Sequence, residues 1–356
     1  VKSPTTAASA PARTLTGARP LDSTSPVLDT ARRALLVEIA ELYYLDERSQ
    51  QDIAGQLGVS RSTVSRLLAE ARDAGVVQIR INRESARDEA LEDRLGAALG
   101  IRAWVLRGHE DGSDALTTVG AACARLLERT LRPGGVLSLT HGSTVYAVMR
   151  ALRIEQLPGL RMVQMAGFEV GNPLNDGWEL IRLCFDRIDS RYRYVHAPLL
   201  VSSDELHAAL MEDTHQRETF GLVRSSDVAL LGIGTVDPVS SSLARGGILT
   251  SEALDEARRR GSVGAINGFH FRLDGSLVEG VDHRIVGVLP SELGEGTRRI
   301  AVAVGTLKAA PVLGASRAGW LDELVTDVSC AEGILSLLET RTGGSRVAAT
   351  GRSSST

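Results

Sequence analysis

Residues 50–74, QQDIAGQLGVSRSTVSRLLAEARDA, limit what this chain can fold into more than any other stretch. Ile53, Ala54 and Leu57 fall on one face of a first helix, and Val64, Leu67 and Leu68 restore an apolar face in a second. Between them Gly58 can take a positive φ at little cost. Ser60 is placed to cap the second helix. Val59 is expected to bury the turn, and the small Ala54 lets the two helices cross closely. The pattern predicts a helix-turn-helix whose second helix fits a DNA major groove. Its outward set is Arg61, Ser62, Ser65, Arg66 and Ala69. An ordinary amphipathic hairpin shares the spacing. It does not share the capped SQQDIA start, the GVS turn and a second helix rich in Ser, Thr and Arg.

Charge points the same way. From Gly58 to Arg83 five arginines (61, 66, 72, 80, 83) face Glu70 and Asp73, whereas the whole chain has a net charge of −4. Basic character confined to one small region is expected where only that region meets phosphates. Arg61 and Arg66 are the candidate base readers, with Gln51, Ser60, Ser62 and Ser65 placed for backbone or additional contacts.

The 356 residues, 43% hydrophobic, suffice for a small and a large domain with a true core. Aromatics at 4% leave that core to Leu, Val, Ile and Ala. No run approaches the roughly 18 apolar residues of a membrane span, and the start lacks an apolar leader core, so a cytoplasmic chain is expected. Cys123, Cys184 and Cys330 are far apart and form no Cys-x-x-Cys pair. They read as buried free thiols, and neither metal nor cofactor is expected.

Residues 1–28, rich in Ala, Ser, Thr and Pro, and residues 341–356 read as disordered tails. Residues 29–83 read as a winged helix-turn-helix: a packing helix over about 29–45, the two motif helices, and a wing strand at VVQIRI (76–81). Residues 84–100 read as a linker helix with Leu91, Leu95 and Leu99 in one stripe, packing on its own domain or on a partner subunit, the partner being preferred. From 101 to 340, short apolar runs (RAWVLR, GVLSLT, RMVQMAG, RYRYVHA, DVALLGIG, SVGAING, RIAVAVG, DELVTD) alternate with helical ones such as STVYAVMRAL, DELHAALMEDTH and SEALDEARRRG. That alternation predicts an α/β, Rossmann-like domain with a mostly parallel sheet, whose ligands bind in the loops after the strands.

Three of those loops carry suitable chemistry. After GVLSLT, Gly142-Ser143-Thr144 opens a helix, where free N–H groups and the helix dipole favour an anion. After DVALLGIG, Gly232, Gly234 and Thr235 form a tight loop. After RIAVAVG, Lys308 begins another helix, an unfavourable place for a cation unless an anion lies beside it. Of 40 basic residues only Lys2 and Lys308 are lysine, which sets Lys308 apart. A phosphate held by residues 142–144 and Lys308 is the reading.

With these residues in place, the chain resembles the SorC family of sugar-binding bacterial transcriptional regulators over about 30–340. The resemblance rests on SQQDIAGQLGVSRSTVSRLLAEARDAGVVQIRI, HGST, YVHAPLLVSSDELHAALMED, ALLGIGTVDPVSSSL, GSVGAINGFHFRLDG and IAVAVGTLKAAPVLGASRAGWLDELVTD. It implies a winged helix-turn-helix and a large domain similar to sugar-phosphate isomerases and deaminases. It also implies a phosphorylated sugar or polyol as effector, and a homo-oligomer, dimer or tetramer, on double-stranded operator DNA. By position, Gly142, Ser143, Thr144 and Lys308 match the family's phosphate-binding elements, and Gly232, Gly234 and Thr235 match a loop lining the effector. Two positions depart from the pattern. Ala265 stands where many relatives have an acidic residue that can hold a sugar hydroxyl, with Asn267 the candidate substitute. His141-Gly142 replaces a common Trp-Gly turn.

The reading that follows is a regulator of a carbohydrate catabolic operon controlled by a sugar phosphate, and not an enzyme. The rival is a sugar-phosphate isomerase or deaminase with a DNA-binding appendage, for which Asp237, His141 and His270 are the candidate acids and bases. The sequence places no carboxylate pair or His–Asp pair together for it. A third reading, a scaffold that uses the front helices for protein contact, predicts that Arg66 is dispensable for DNA affinity.

Overall fold

Two hydroxyls and a glycine punctuate the first part of the chain. In the computed structural model, which describes residues 30–44, 46, 48–74, 76–77, 87–108, 115–153, 157–168, 183, 192–280 and 283–347 (without the side chains of 30, 31 and 341–347), three helices come first. They are α1 (Thr30–Tyr44), α2 (Gln50–Leu57) and α3 (Arg61–Asp73). Ser49 caps α2 by accepting from Asp52 N at 3.2 Å, and Ser60 caps α3 by accepting from Thr63 N at 3.1 Å. Gly58 ends α2 with φ 65°, a left-handed conformation that a residue lacking Cβ adopts without strain. Leu36, Ile39, Ile53, Ala54, Val64, Leu67, Leu68 and Ala71 form one buried core. Each fully buried Leu, Ile or Val side chain there contributes about 1.5–3 kcal/mol. Arg32 reaches from α1 to a bidentate pair with Glu70 on α3. Val59 corrects the sequence reading: it is 39% exposed, because the Gly58 turn swings it outward. Val76 and Val77 pack partly against this core. The rest of the expected wing, 78–81, lies outside the described residues, as do the tails 1–28 and 348–356.

The chain divides into two units, Val1–Arg83 and Glu84–Thr356. The second opens with a strap. Arg87 bridges Leu106 and forms a bidentate pair with the buried Glu92. Its guanidinium also lies 4.4 Å from the centre of the Trp104 ring. Asp88 caps α4 (Glu89–Leu99) by accepting from Leu91 N at 3.1 Å. Leu91 and Leu95 are buried in the core of this same unit with Cys330, Ile334 and Leu335. The leucine stripe is therefore spent on its own domain and not held for a partner, which corrects the preferred reading. Leu95→Ala is accordingly expected to lower stability by about 2–5 kcal/mol. Chemical denaturation at several protein concentrations checks this; a loss that vanishes on dilution contradicts it.

After α4 the chain runs β1 (Arg102–Leu106), α5 (Ala115–Thr130), β2 (Val136–Leu139), α6 (Ser143–Ala151), β3 (Arg161–Gln164) and β4 (Tyr192–Arg193). It continues α7 (Asp204–Glu212), α8 (Thr214–Arg224), β5 (Val228–Gly232), β6 (Gly234–Thr235), α9 (Ser242–Arg245), α10 (Ser251–Arg259), β7 (Ser262–Ile266) and β8 (Phe269–Arg272). It closes with β9 (Arg298–Val302), α11 (Ala309–Arg317), β10 (Glu323–Asp327) and α12 (Val328–Val347). Seven strands form one parallel sheet in the order β1-β10-β9-β5-β2-β3-β4. The strands are nearly all apolar because helices cover both faces: α4, α11 and α12 build one core, α5 and α6 the other. From β2 the chain proceeds outward through β3 and β4, and from β5 it proceeds the opposite way through β9 and β10. The β2–β5 boundary is thus the switch point of the sheet, where such folds open a crevice.

Three sequence expectations change here. SVGAING does not join the parallel sheet; β7 pairs antiparallel with β6 and β8 in a separate three-stranded sheet. The run DELHAALMEDTH is two helices, because Asp213 turns its carboxylate to the His215 and Gln216 N–H groups and starts α8. The last helix reaches Val347, past the expected start of the tail at 341. Cys123 and Cys330 are buried free thiols whose pKa values burial pushes up, that of Cys330 to about 12; Cys184 lies outside the described residues.

Candidate functional site

The outer face of α3 is polar because its inner face is not. Val64, Leu67, Leu68 and Ala71 are buried, which turns Arg61, Ser62, Ser65 and Arg66 outward, all exposed. Gln51 and Ser60 are exposed as well. Ser60 is already committed: besides capping α3, its Oγ lies 2.8 Å from both Ser62 Oγ and Thr63 Oγ1. Arg32 and Arg72 are engaged by Glu70 and the Tyr44 hydroxyl. Arg61 and Arg66 remain as the cations of the exposed face of α3.

In the second unit, the loops after β2, β5 and β9 meet around one cleft. It is lined by all eight residues of the sequence set: Gly142, Ser143, Thr144, Gly232, Gly234, Thr235, Asn267 and Lys308. Gly142 stands before α6 with φ 127°, and Gly305 stands before Thr306–Lys308 with φ 91°. Both conformations suit a residue without Cβ. No side chain caps α6, so its first N–H groups are left for the cleft, where the helix dipole adds positive potential. Lys308 Nζ donates to Ile233 O at 2.7 Å, and burial lowers its pKa to about 8.

The structure adds Ser240, Ser241, Ser242 and Arg245 to the lining, which the sequence reading missed. A signal was present in DPVSSSLARGG. Asp237 accepts from Ser240 N at 2.9 Å, and Ser241 caps the short α9, so the serine run is folded back into the cleft. Among the described residues the lining therefore carries two cations, Arg245 and Lys308, and no carboxylate.

The groups that an enzyme would use do not converge. His141 lines the cleft, but burial lowers its pKa to about 4, and its Nε2 accepts from the Gln164 amide nitrogen. Gln164 is fixed in that orientation because its Oε1 accepts from Val195 N at 3.4 Å. Asp237 holds the turn before the serines, and those bonds keep its carboxyl below the usual range. His270 is buried beneath the sheet turn and lines a separate small hollow with Leu199, Leu249 and Ile285. Among the described residues no cluster of three or more His, Cys, Asp or Glu could hold a metal, and no helix is long and apolar enough to cross a membrane.

A helix-turn-helix with arginines on its exposed recognition face, followed by a parallel sheet opening onto a cationic cleft, defines a DNA-binding regulator joined to a ligand-binding domain. The Sugar-bind family, described as "Putative sugar-binding domain", matches residues 83–336, and a Crp-like helix-turn-helix domain matches residues 34–92. The chain belongs to this family of sugar-binding transcriptional regulators. It is 29% identical over 314 residues to the transcriptional regulator LsrR of Klebsiella pneumoniae subsp. pneumoniae, spanning 87% of this chain and 95% of that one. It is 27% identical over 318 residues to the deoxyribonucleoside regulator of Bacillus subtilis, spanning 86% of this chain and 99% of that one. The crystal structure of the full-length sorbitol operon regulator SorC from Klebsiella pneumoniae matches with a TM-score of 0.62 at 27% identity, covering 86% of this chain and 100% of that one.

Proposed function

We propose that this regulator controls a carbohydrate catabolic operon in the cytoplasm and that a phosphorylated sugar or polyol, bound in the cleft, changes its affinity for operator DNA. One observation carries the reading: an uncapped helix start, Lys308 and Arg245 share a cleft with no carboxylate among its described lining residues. That is a site for a compact dianion. The phosphate sits against Gly142, Ser143 and Thr144 and draws the Lys308 ammonium from its bond to Ile233 O. Gly232, Gly234, Thr235 and Asn267 face the rest of the ligand. The named relatives fit this view, since a sorbitol operon and deoxyribonucleosides both involve polyhydroxylated compounds. On the DNA side, Arg61 and Arg66 read base edges, while Gln51, Ser60, Ser62 and Ser65 set the helix against the backbone. A homodimer or tetramer presents two such helices to a two-fold operator.

The protein is not an enzyme in this reading. His141 is held neutral and tied to Gln164, Asp237 is spent on its turn, and His270 lies in a different hollow. Thermal melting of the full chain against ribose, fructose, glucose, glucosamine and sorbitol phosphates, each beside its unphosphorylated parent, tests the site. A phosphate at a hundredfold excess over its Kd is expected to raise Tm by about 5 °C or more, and its parent not. Equal shifts with phosphate and parent contradict a phosphate site.

A further inference from the structure

The β7–β8 turn puts a strained residue at the cleft. Asn267 has φ 53° and Gly268 φ 82°, the left-handed pair that two-residue hairpins favour. The backbone is thereby fixed, and so is the amide. Asn267 Nδ2 donates to Val288 O at 3.0 Å, which leaves Oδ1 as the opposite end. Oδ1 is buried and accepts no hydrogen bond, in a residue only 7% exposed that lines the cleft. Buried acceptors are nearly always satisfied, because leaving one without a donor is costly. An orphan acceptor in a ligand cleft therefore marks where a ligand brings a donor.

Charge decides which donor. The described lining includes Arg245 and Lys308 but no acid, and Ala265, buried beside the turn, adds none. Asp237, the acid before the serine run, is engaged by Ser240. The ligand's phosphate offsets those two cations, so an ammonium elsewhere on the ligand would find no acid among the described lining residues to pair with. A hydroxyl meets no such penalty.

The geometry points to Asn267 as the specificity-determining residue: its Oδ1 accepts from a neutral ligand hydroxyl, and the cleft rejects amino-sugar phosphates. This rests on the sugar-phosphate reading above and names what the ligand presents away from its phosphate. Asn267→Gly keeps the left-handed turn and removes the acceptor. Calorimetric titration of the full chain with inorganic phosphate and with the neutral sugar phosphate that gives the largest thermal shift separates the two ends of the ligand. The variant is expected to bind the sugar phosphate about tenfold more weakly and inorganic phosphate as the wild type does. Unchanged sugar-phosphate affinity overturns the inference, and so does an equal loss for inorganic phosphate, which a merely structural role would give.

Ala265→Asp supplies a second arm that leaves the turn intact. It is expected to raise affinity for glucosamine phosphate relative to the neutral ligand by about tenfold. Glucosamine phosphate binding the wild type as tightly as the best neutral ligand overturns the inference while leaving the sugar-phosphate reading standing. Failure of every sugar phosphate and of inorganic phosphate to bind overturns both.

Discussion

With Lys308 replaced by methionine, the sugar phosphate that best stabilises the wild type is expected to bind about 10- to 100-fold more weakly, because a charge-assisted hydrogen bond is lost. Methionine keeps the length of the buried stem, and the ammonium it removes bonds the Ile233 carbonyl in the free protein. The fold should tolerate the change, since burial already disfavours the charge and lowers its pKa to about 8. The pH dependence gives an independent check with a definite sign. An anion favours the protonated amine, so affinity is full below pH 8 and falls as pH rises through it, about tenfold per unit. On the acid side affinity falls below about pH 6 as the phosphate loses its second charge. His141, at about 4, stays neutral across that window and does not blur it. In Lys308→Met the alkaline limb should disappear. An alkaline limb that survives the substitution assigns the proton elsewhere and contradicts the role given to Lys308.

Arg66→Ala is expected to weaken specific operator binding by about 1–3 kcal/mol and to relax base preference at one position. Arg66 lies exposed on the face of α3 opposite Val64, Leu67 and Leu68, so the fold does not depend on it. Selection of preferred duplexes from a random pool, followed by titration of wild type and variant, measures both effects. An equal loss on random DNA reduces Arg66 to a phosphate contact. Unchanged DNA affinity would favour the scaffold reading, in which the front helices meet protein.

Local chemistry was the part of this molecule open to reading from the sequence. Ser49, Gly58 and Ser60 act within four residues of themselves, so their roles follow from the string of letters. Seven of the eight cleft residues follow for a related reason: each belongs to a glycine-bearing turn or a helix start next to an apolar run, whereas Asn267 comes only from the family resemblance. What failed depended on distant partners. The Leu91–Leu95 stripe announces a covered face, but periodicity does not say that Cys330 and Ile334, far along the chain, do the covering. SVGAI is as apolar as a central parallel strand; only the Asn267-Gly268 turn after it marks a hairpin. The serines at 240–242 look like any polar loop until the Asp237 turn folds them inward. Val59 is as apolar as its neighbours, but the Gly58 conformation decides its direction and turns it outward.

If the cleft governs DNA reading, the ligand must bind two DNA-affinity states unequally. Operator affinity should be measured for the wild type and Lys308→Met with and without the stabilising sugar phosphate. The ligand is expected to change wild-type affinity at least about fivefold, in either direction, and to leave that of Lys308→Met unchanged at the same concentration. Equal operator affinity with and without bound ligand in the wild type would contradict it.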